Sequence, residues 1–246
     1  MKQTRAIMGM PVVVEISDRE ASEDLFGEVF SYFTYVDETF STYKATSEIS
    51  AINRGEKGRD AWSKDMQEVF ALSEETKALT DGYFDIMTPA GTFDPSGLVK
   101  GWAIRNAADI LRKRGVKDFY VEAGGDIEVN GSNAEGKPWT IGIESPFQKG
   151  ETVKAVHLKD KGIATSGNYK RGTHIYNPFL KGAPSDDVVS LTVIGPNVYE
   201  ADRFATAAFA MGKKGIEFIE RLEGFEGYQI GKDGMATMTS KFAAYL

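Results

Sequence analysis

Apolar residues recur through residues 22–40 at Leu25, Phe26, Val29, Phe30, Phe33, Val36 and Phe40. This spacing predicts an amphipathic helix with Ser22 as its N-cap. Just before it, Met10-Pro-Val-Val-Val-Glu-Ile-Ser17 is a β-branched run and predicts a strand. Residues 63–80 carry Met66, Val69, Phe70 and Leu72 at helical positions, and Asp81-Gly82 supplies a left-handed stop. A third helix is expected from about Leu98 to Arg114, with Trp102, Ala103, Ala107, Ile110 and Leu111 inward and Gly115 at its end. The polar stretch from Ser41 to Asp60 reads as a surface loop with local side-chain caps.

From Phe119 the period changes to that of strands. Phe119–Ala123 and Ile127–Asn130 flank Gly124-Gly125-Asp126, and Asn130-Gly131 is a turn signal. Further strands are expected at Trp139–Glu144, Val153–Lys159, Ile163–Ser166, His174–Asn177 and Val188–Ile194. Helices over Val198–Met211 and Ile216–Leu222 follow, then strands at Tyr228–Ile230 and Met235–Thr239. Consecutive strands in the second half favour an α+β architecture, with mixed sheets and helices packed on their faces, over an alternating parallel sheet. No linker or repeat interrupts the 246 residues, so a single compact unit is expected.

Composition narrows the chemistry. The chain has no cysteine, which excludes disulfides, thiolate zinc sites and thiol nucleophiles. Its two histidines, His157 and His174, make a multi-histidine metal centre a poor expectation. The net charge of −7 argues against a general nucleic-acid binder. A single anionic ligand remains compatible, because local amides, a lysine or a metal can hold it. No stretch approaches the roughly 20 apolar residues of a membrane span. The N-terminus carries no signal-peptide pattern, so no membrane anchor and a cytoplasmic location are expected.

Several segments can carry chemistry. In Glu200-Ala-Asp-Arg-Phe-Ala-Thr206, helical spacing stacks Asp202 and Thr206 on one face. A carboxylate and a hydroxyl so placed suit a Mg²⁺-type cation, although the pair alone is common. Asp94-Pro-Ser-Gly-Leu-Val-Lys-Gly101 joins a loop to a helix start, where free amides and Lys100 can meet a phosphate. It lacks the Walker spacing, and a turn before an ordinary helix would explain it equally. Gly124-Gly125-Asp126 reads as a bend and not as a dinucleotide fingerprint, since no helix pattern follows. His174 lies beside Thr173, Tyr176 and the cationic Lys170-Arg171, which makes it a better proton carrier than His157. Tyr43, in a Ser/Thr-rich segment, offers a ring for a flat heterocycle.

Taken in order, these segments resemble the ApbE family of FAD:protein FMN transferases. The resemblance rests on Met8-Gly9, Ser41–Lys44, Ser47–Asn53, Gly82–Ile86, Asp94–Ala103, Ala123–Ile127, Thr165–Gly167, His174–Pro178 and Ala201–Thr206. It implies an ApbE-like, T-fold-related fold. It also implies Mg²⁺-dependent cleavage of FAD, with transfer of FMN to a Thr or Ser of a target protein and release of AMP. By the same resemblance Gly97 (through its carbonyl), Asp202 and Thr206 hold the metal, and His174 is the catalytic base. Met8, Tyr43, Phe84, Asp85, Ile86, Asp94, Lys100 and Tyr176 surround FAD, with Asn53 and Ser166 as lesser contributors. The chain departs from the family pattern at Ser96, in Pro178-Phe-Leu-Lys-Gly182, and in a short segment between Asp85 and Asp94. Two alternatives stay open at this point: hydrolysis of FAD to FMN and AMP, and flavin carriage without chemistry.

Overall fold

A computed structural model describes residues 1–18, 21–168, 175, 177–180 and 187–246. The β-branched run forms strand β2 (Met10–Ile16), with Val12, Val14 and Ile16 buried. It pairs with a strand the pattern does not announce, β1 (Lys2–Ile7), most of whose residues face solvent. Met8 and Gly9, at φ 57° and 70°, make the two-residue turn between them.

Four helices come next. Helix α1 (Glu23–Phe40) buries the apolar stripe named above, apart from half-buried Leu25. Ser22 occupies its N-cap position without a side-chain cap, and Glu23 and Asp24 complement the dipole instead. The expected loop holds a short helix, α2 (Glu48–Asn53), capped by the Ser47 hydroxyl and anchored by buried Ile49 and Ile52. Two apolar residues among polar ones are too few for a periodic signal, and the cap with its tertiary contacts decides. Helix α3 (Lys64–Leu79) ends as predicted, with Asp81 and Gly82 in the left-handed region. Helix α4 (Ser96–Lys113) starts earlier than its apolar pattern, because Asp94 accepts a hydrogen bond from the Ser96 amide (3.0 Å) and sets the first turn.

The second half supplies β3 (Phe119–Ala123), β4 (Asp126–Asn130), β5 (Trp139–Glu144), β6 (Thr152–Leu158), β7 (Lys161–Gly167) and β8 (Val188–Gly195). Helices α5 (Val198–Ala210) and α6 (Gly215–Glu220) follow, then β9 (Glu226–Gly231) and β10 (Ala236–Met238). Gly124 and Gly125, at φ 61° and 96°, form the β3–β4 hairpin turn, a conformation that L side chains adopt rarely. Of the expected strand at His174–Asn177, His174 and Tyr176 lie outside the described residues, while Ile175 and Asn177 belong to no strand.

Among the described residues, eight strands form one sheet in the order β1-β2-β3-β4-β7-β8-β9-β10, every pairing antiparallel. All the helices between β2 and β3 are an insertion between sheet neighbours, as the β5–β6 ribbon is between β4 and β7. One face carries helices: α1 and α4 cover β2 and β3, and α5 and α6 cover β7 and β8. The other face carries the ribbon, which buries Trp139, Ile141 and Ile143 against Ile127, Ile163 and Ile194. The fold is α+β, as the strand order implies. No helix among the described residues is long and apolar enough to cross a membrane.

Candidate active site

Helices α4 and α5 lie side by side over the middle of the sheet, and glycine governs their approach. A Cβ on Gly101 would stand 2.6 Å from the Asp202 Cβ and 2.9 Å from the Val198 carbonyl oxygen. One on Gly97 would meet the Thr206 methyl at 3.1 Å. Each glycine costs helix α4 about 1 kcal/mol relative to alanine, which the close packing must offset. The spacing is matched: residues 97 and 101 on α4 face residues 206 and 202 on α5.

This seam collects oxygen. The Thr206 hydroxyl donates to the Gly97 carbonyl (3.1 Å), and the Ser166 hydroxyl lies 3.5 Å from that of Thr206. Asp202 is 3% exposed, and its Oδ2 accepts from the Gly101 amide at 2.8 Å. Asp126, 1% exposed, ion-pairs with the Lys100 ammonium at 2.5 Å and accepts from the Thr165 amide at 3.0 Å. Lys100 is 3.9 Å from the other oxygen of Asp202. Two buried carboxylates thus share one ammonium. Burial pushes the Asp202 carboxyl well above the usual range; Lys100 draws it down, and the Asp126 carboxylate beside it pushes it further up. The first turn of α4 contains no acidic residue of its own; the Ser96 amide donates to Asp94 just before it, and the Leu98 and Val99 amides donate to the Pro95 carbonyl.

Three depressions meet where α4 begins. One, of about 80 Å³, is lined by Phe84, Asp85, Asp94, Gly97 and Thr206. A second of similar size is lined by Met8, Met10, Tyr43, Ser96 and Lys100. The third is wider, about 510 Å³, and includes Tyr43, Asn53, Phe93 and Asp94. The Tyr43 ring is fully exposed to water.

Most of the residues expected around a ligand therefore converge, although they come from separate parts of the chain. Asn53 acts on the backbone. Its side-chain amide bonds both the N–H (2.7 Å) and the carbonyl (2.9 Å) of Phe93, which clips the loop before α4 to α2. Asp85 is engaged by Lys77 (2.6 Å) and the Met87 amide (2.8 Å). Ile86 is buried in the core and borders none of these depressions; its carbonyl accepts from the Asp94 amide at 2.7 Å. His174 and Tyr176 lie outside the described residues. Sequence reasoning missed Asp126 and Gly101. The available signals were an acid directly after the glycine turn and two glycines at the Asp202–Thr206 spacing.

The oxygen set fits a hard divalent cation. It offers a carbonyl, a hydroxyl and a carboxylate at one seam, with more buried acid than base nearby. Among the described residues no group of three or more Asp, Glu or His forms a conventional metal cluster, so such a cation would depend on the neutral oxygens.

A family model described as "ApbE family" matches residues 8–90 and 87–228. The FAD:protein FMN transferase of Escherichia coli K12 is 31% identical over 182 residues, covering 69% of this chain and 49% of that protein. That of Vibrio cholerae O395 is 35% identical over 130 residues, covering 49% of this chain and 39% of that protein. The chain thus spans about half the length of the curated relatives it matches. Among solved structures, the flavin transferase ApbE from Vibrio cholerae superposes with a TM-score of 0.88 over 100% of this chain and 99% of that one, at 24% identity. The apbe protein of Thermotoga maritima gives a TM-score of 0.87 over 100% and 98% of the two chains, at 20% identity. Both likenesses establish the fold.

Proposed function

Since the chain belongs to the ApbE family, we propose that it is an FAD:protein FMN transferase. It cleaves FAD, joins FMN through a phosphoester to a Thr or Ser hydroxyl of a target protein, and releases AMP. The observation that carries this reading is the α4–α5 seam, where the Gly97 carbonyl, the Thr206 hydroxyl and the buried Asp202 carboxylate meet beside Lys100.

That placement supports roles for the described residues, while those of His174 and Tyr176 rest on the family pattern alone. Met8 and the exposed Tyr43 ring flank a flat heterocycle. Phe84, Asp85 and Asp94 border the neighbouring depression, and Asn53 holds the loop that carries it. The positive end of the α4 dipole, whose first turn carries no acid of its own, favours the diphosphate beside it. Gly97, Asp202 and Thr206 would hold Mg²⁺, which when bound would withdraw charge from the phosphorus under attack. Lys100, steadied by Asp126, meets charge on the departing phosphate oxygen. His174 takes the proton of the attacking hydroxyl as its oxygen bonds to phosphorus, and Tyr176 contributes to the flavin pocket. The bond from that phosphorus to the bridging oxygen breaks, and its electron pair leaves with AMP.

Asp202→Ala tests the reading. AMP release from FAD should fall on the order of 10³-fold, the several kcal/mol that such a cation supplies to a transition state. FAD binding, followed by flavin fluorescence, should change only a few-fold. EDTA should silence the unmodified protein equally. Full activity in either experiment would remove the metal assignment. Mass spectrometry of a candidate acceptor separates transfer, which adds FMN to it, from hydrolysis, which leaves it unmodified beside free FMN.

A further inference from the structure

A hydroxyl on a helix has a default partner in its own backbone. Thr34 and Thr39 in α1 and Ser73 and Thr76 in α3 each donate to the carbonyl four residues back, at 2.7–3.0 Å. Thr206 in α5 behaves differently. Its hydroxyl donates across the seam, to the Gly97 carbonyl of α4 at 3.1 Å. The Thr206 methyl packs on Gly97, and in a β-branched side chain the seat of the methyl sets the direction of the hydroxyl. The Gly97 carbonyl has a diverted partner too. In a regular helix it accepts from the amide of residue 101, and here that amide donates to the Asp202 carboxylate at 2.8 Å.

Ser166, on β7, stands at the sheet side of the same seam. It is 5% exposed, and its hydroxyl oxygen lies 3.5 Å from that of Thr206. That is long for a bond between hydroxyls, which normally spans about 2.5–3.0 Å, and it fits a Thr206 proton already committed to Gly97. The commitment cannot survive if both oxygens turn lone pairs to a divalent ion, because a proton between them would face the ion's charge. The proton must swing away. Buried without an acceptor, it would be an unmet donor, and that cost would fall on the ion-bound form alone. Ser166 Oγ is the neighbouring oxygen placed to receive it.

We propose that Ser166 is a positioning residue: it accepts the Thr206 proton when Gly97 and Thr206 hold a divalent ion, and so fixes Thr206 as a ligand. Ser166 acts through Thr206, and the role needs no contact of its own with ion or flavin. The inference rests on the metal assignment within the transferase reading.

The test titrates the full chain, without FAD or acceptor, with Mn²⁺, a hard cation that also takes octahedral oxygen sites and is counted by EPR when free. Ser166→Ala should weaken Mn²⁺ binding about tenfold, the lower end of what the partner of a metal ligand contributes. Its thermal midpoint without metal should hardly move, since the 3.5 Å contact contributes little there. The deciding comparison is made in a Thr206→Asp background. A carboxylate ligand has no proton to dispose of, so there Ser166→Ala should change Mn²⁺ affinity less than about twofold. An equal loss in both backgrounds would make Ser166 a merely structural residue, and no loss in either would make it dispensable. Each overturns the assignment, as does failure of either form of residue 206 to bind Mn²⁺. If the expected pattern is found in a protein that never releases AMP from FAD, the role of Ser166 stands and the transferase reading fails. If AMP release depends on Mg²⁺ but Ser166→Ala binds Mn²⁺ normally, the transferase reading stands and the role of Ser166 fails.

Discussion

Asp126 and Glu128 leave strand β4 two residues apart, on the same face and toward the same pair of helices, yet they end in opposite situations. Glu128 is closed off. Its two oxygens take the Arg112 guanidinium (2.6 Å) and the Val198 amide at the start of α5 (2.6 Å). Arg112 is in turn held by Asp109 (2.7 Å) and Asn130 (3.1 Å). Burial pushes the Glu128 carboxyl up, and Arg112 and the Val198 amide pull it back. Asp126 has Lys100, but Asp202 competes for the same ammonium. A buried acid with a full set of partners fastens helix to sheet. A buried pair of acids with one base lacks a full set of partners, and the second acid is held charged at a cost or held protonated, the direction in which burial pushes Asp202. That shortfall singles out the seam as the candidate site, whereas the Glu128 end is a joint.

Changes at each end should separate the two roles. Glu128→Ala leaves the Val198 amide unmet and Arg112 short of its main partner. Chemical denaturation should show a loss of about 3 kcal/mol, at the low end for breaking a buried pair because Arg112 keeps Asp109 and some water. The rate of AMP release per folded molecule should hardly change. Asp126→Asn should do the reverse. It removes one of two opposed acids, so the thermal midpoint should hold or rise, while AMP release falls about 30-fold as Lys100 loses its support. A stability loss at Asp126 as large as at Glu128 would erase the distinction.

Smaller effects refine it. Gly101→Ala gains helix propensity but forces a methyl onto the Asp202 Cβ and the Val198 carbonyl, for a net loss of about 1 kcal/mol by denaturation. Gly97→Ala meets only side-chain atoms, the Thr206 methyl at 3.1 Å and the Phe84 ring at 3.4 Å, and should be close to neutral in stability. Equal losses at the two glycines would mean that the helices separate freely. A partly buried acid sets the bottom of the scale. Glu48 accepts from Lys57 (2.9 Å) and the Ser63 amide (2.7 Å). Burial pushes its carboxyl up, but these partners outweigh it and hold it below the ordinary 4.5. Its contribution is therefore present above the unfolded-state value and lost as pH falls through the lowered one. Glu48→Gln should cost about 0.5 kcal/mol at neutral pH. Denaturation curves of the two proteins should converge as the pH falls below 4.5 through that lowered range.

By itself the sequence determined the long elements and the family. The stripes of α1, α3 and α4 and the run of β2 were readable because their burial is one-sided and therefore periodic. Asp202–Thr206 was readable because both residues ride on one helix face, four positions apart. Only the tertiary structure decided that β2 and β3, separated by four helices, are sheet neighbours. It alone decided that Asp126 turns toward Lys100, and that Gly101 is where α5 presses on α4. Those outcomes depend on which surfaces meet, and a meeting between residues 101 positions apart leaves no period in the chain. Strand β1 and helix α2 escaped for a related reason: an exposed edge strand and a six-residue helix owe their form to a neighbour and a cap more than to any apolar repeat of their own.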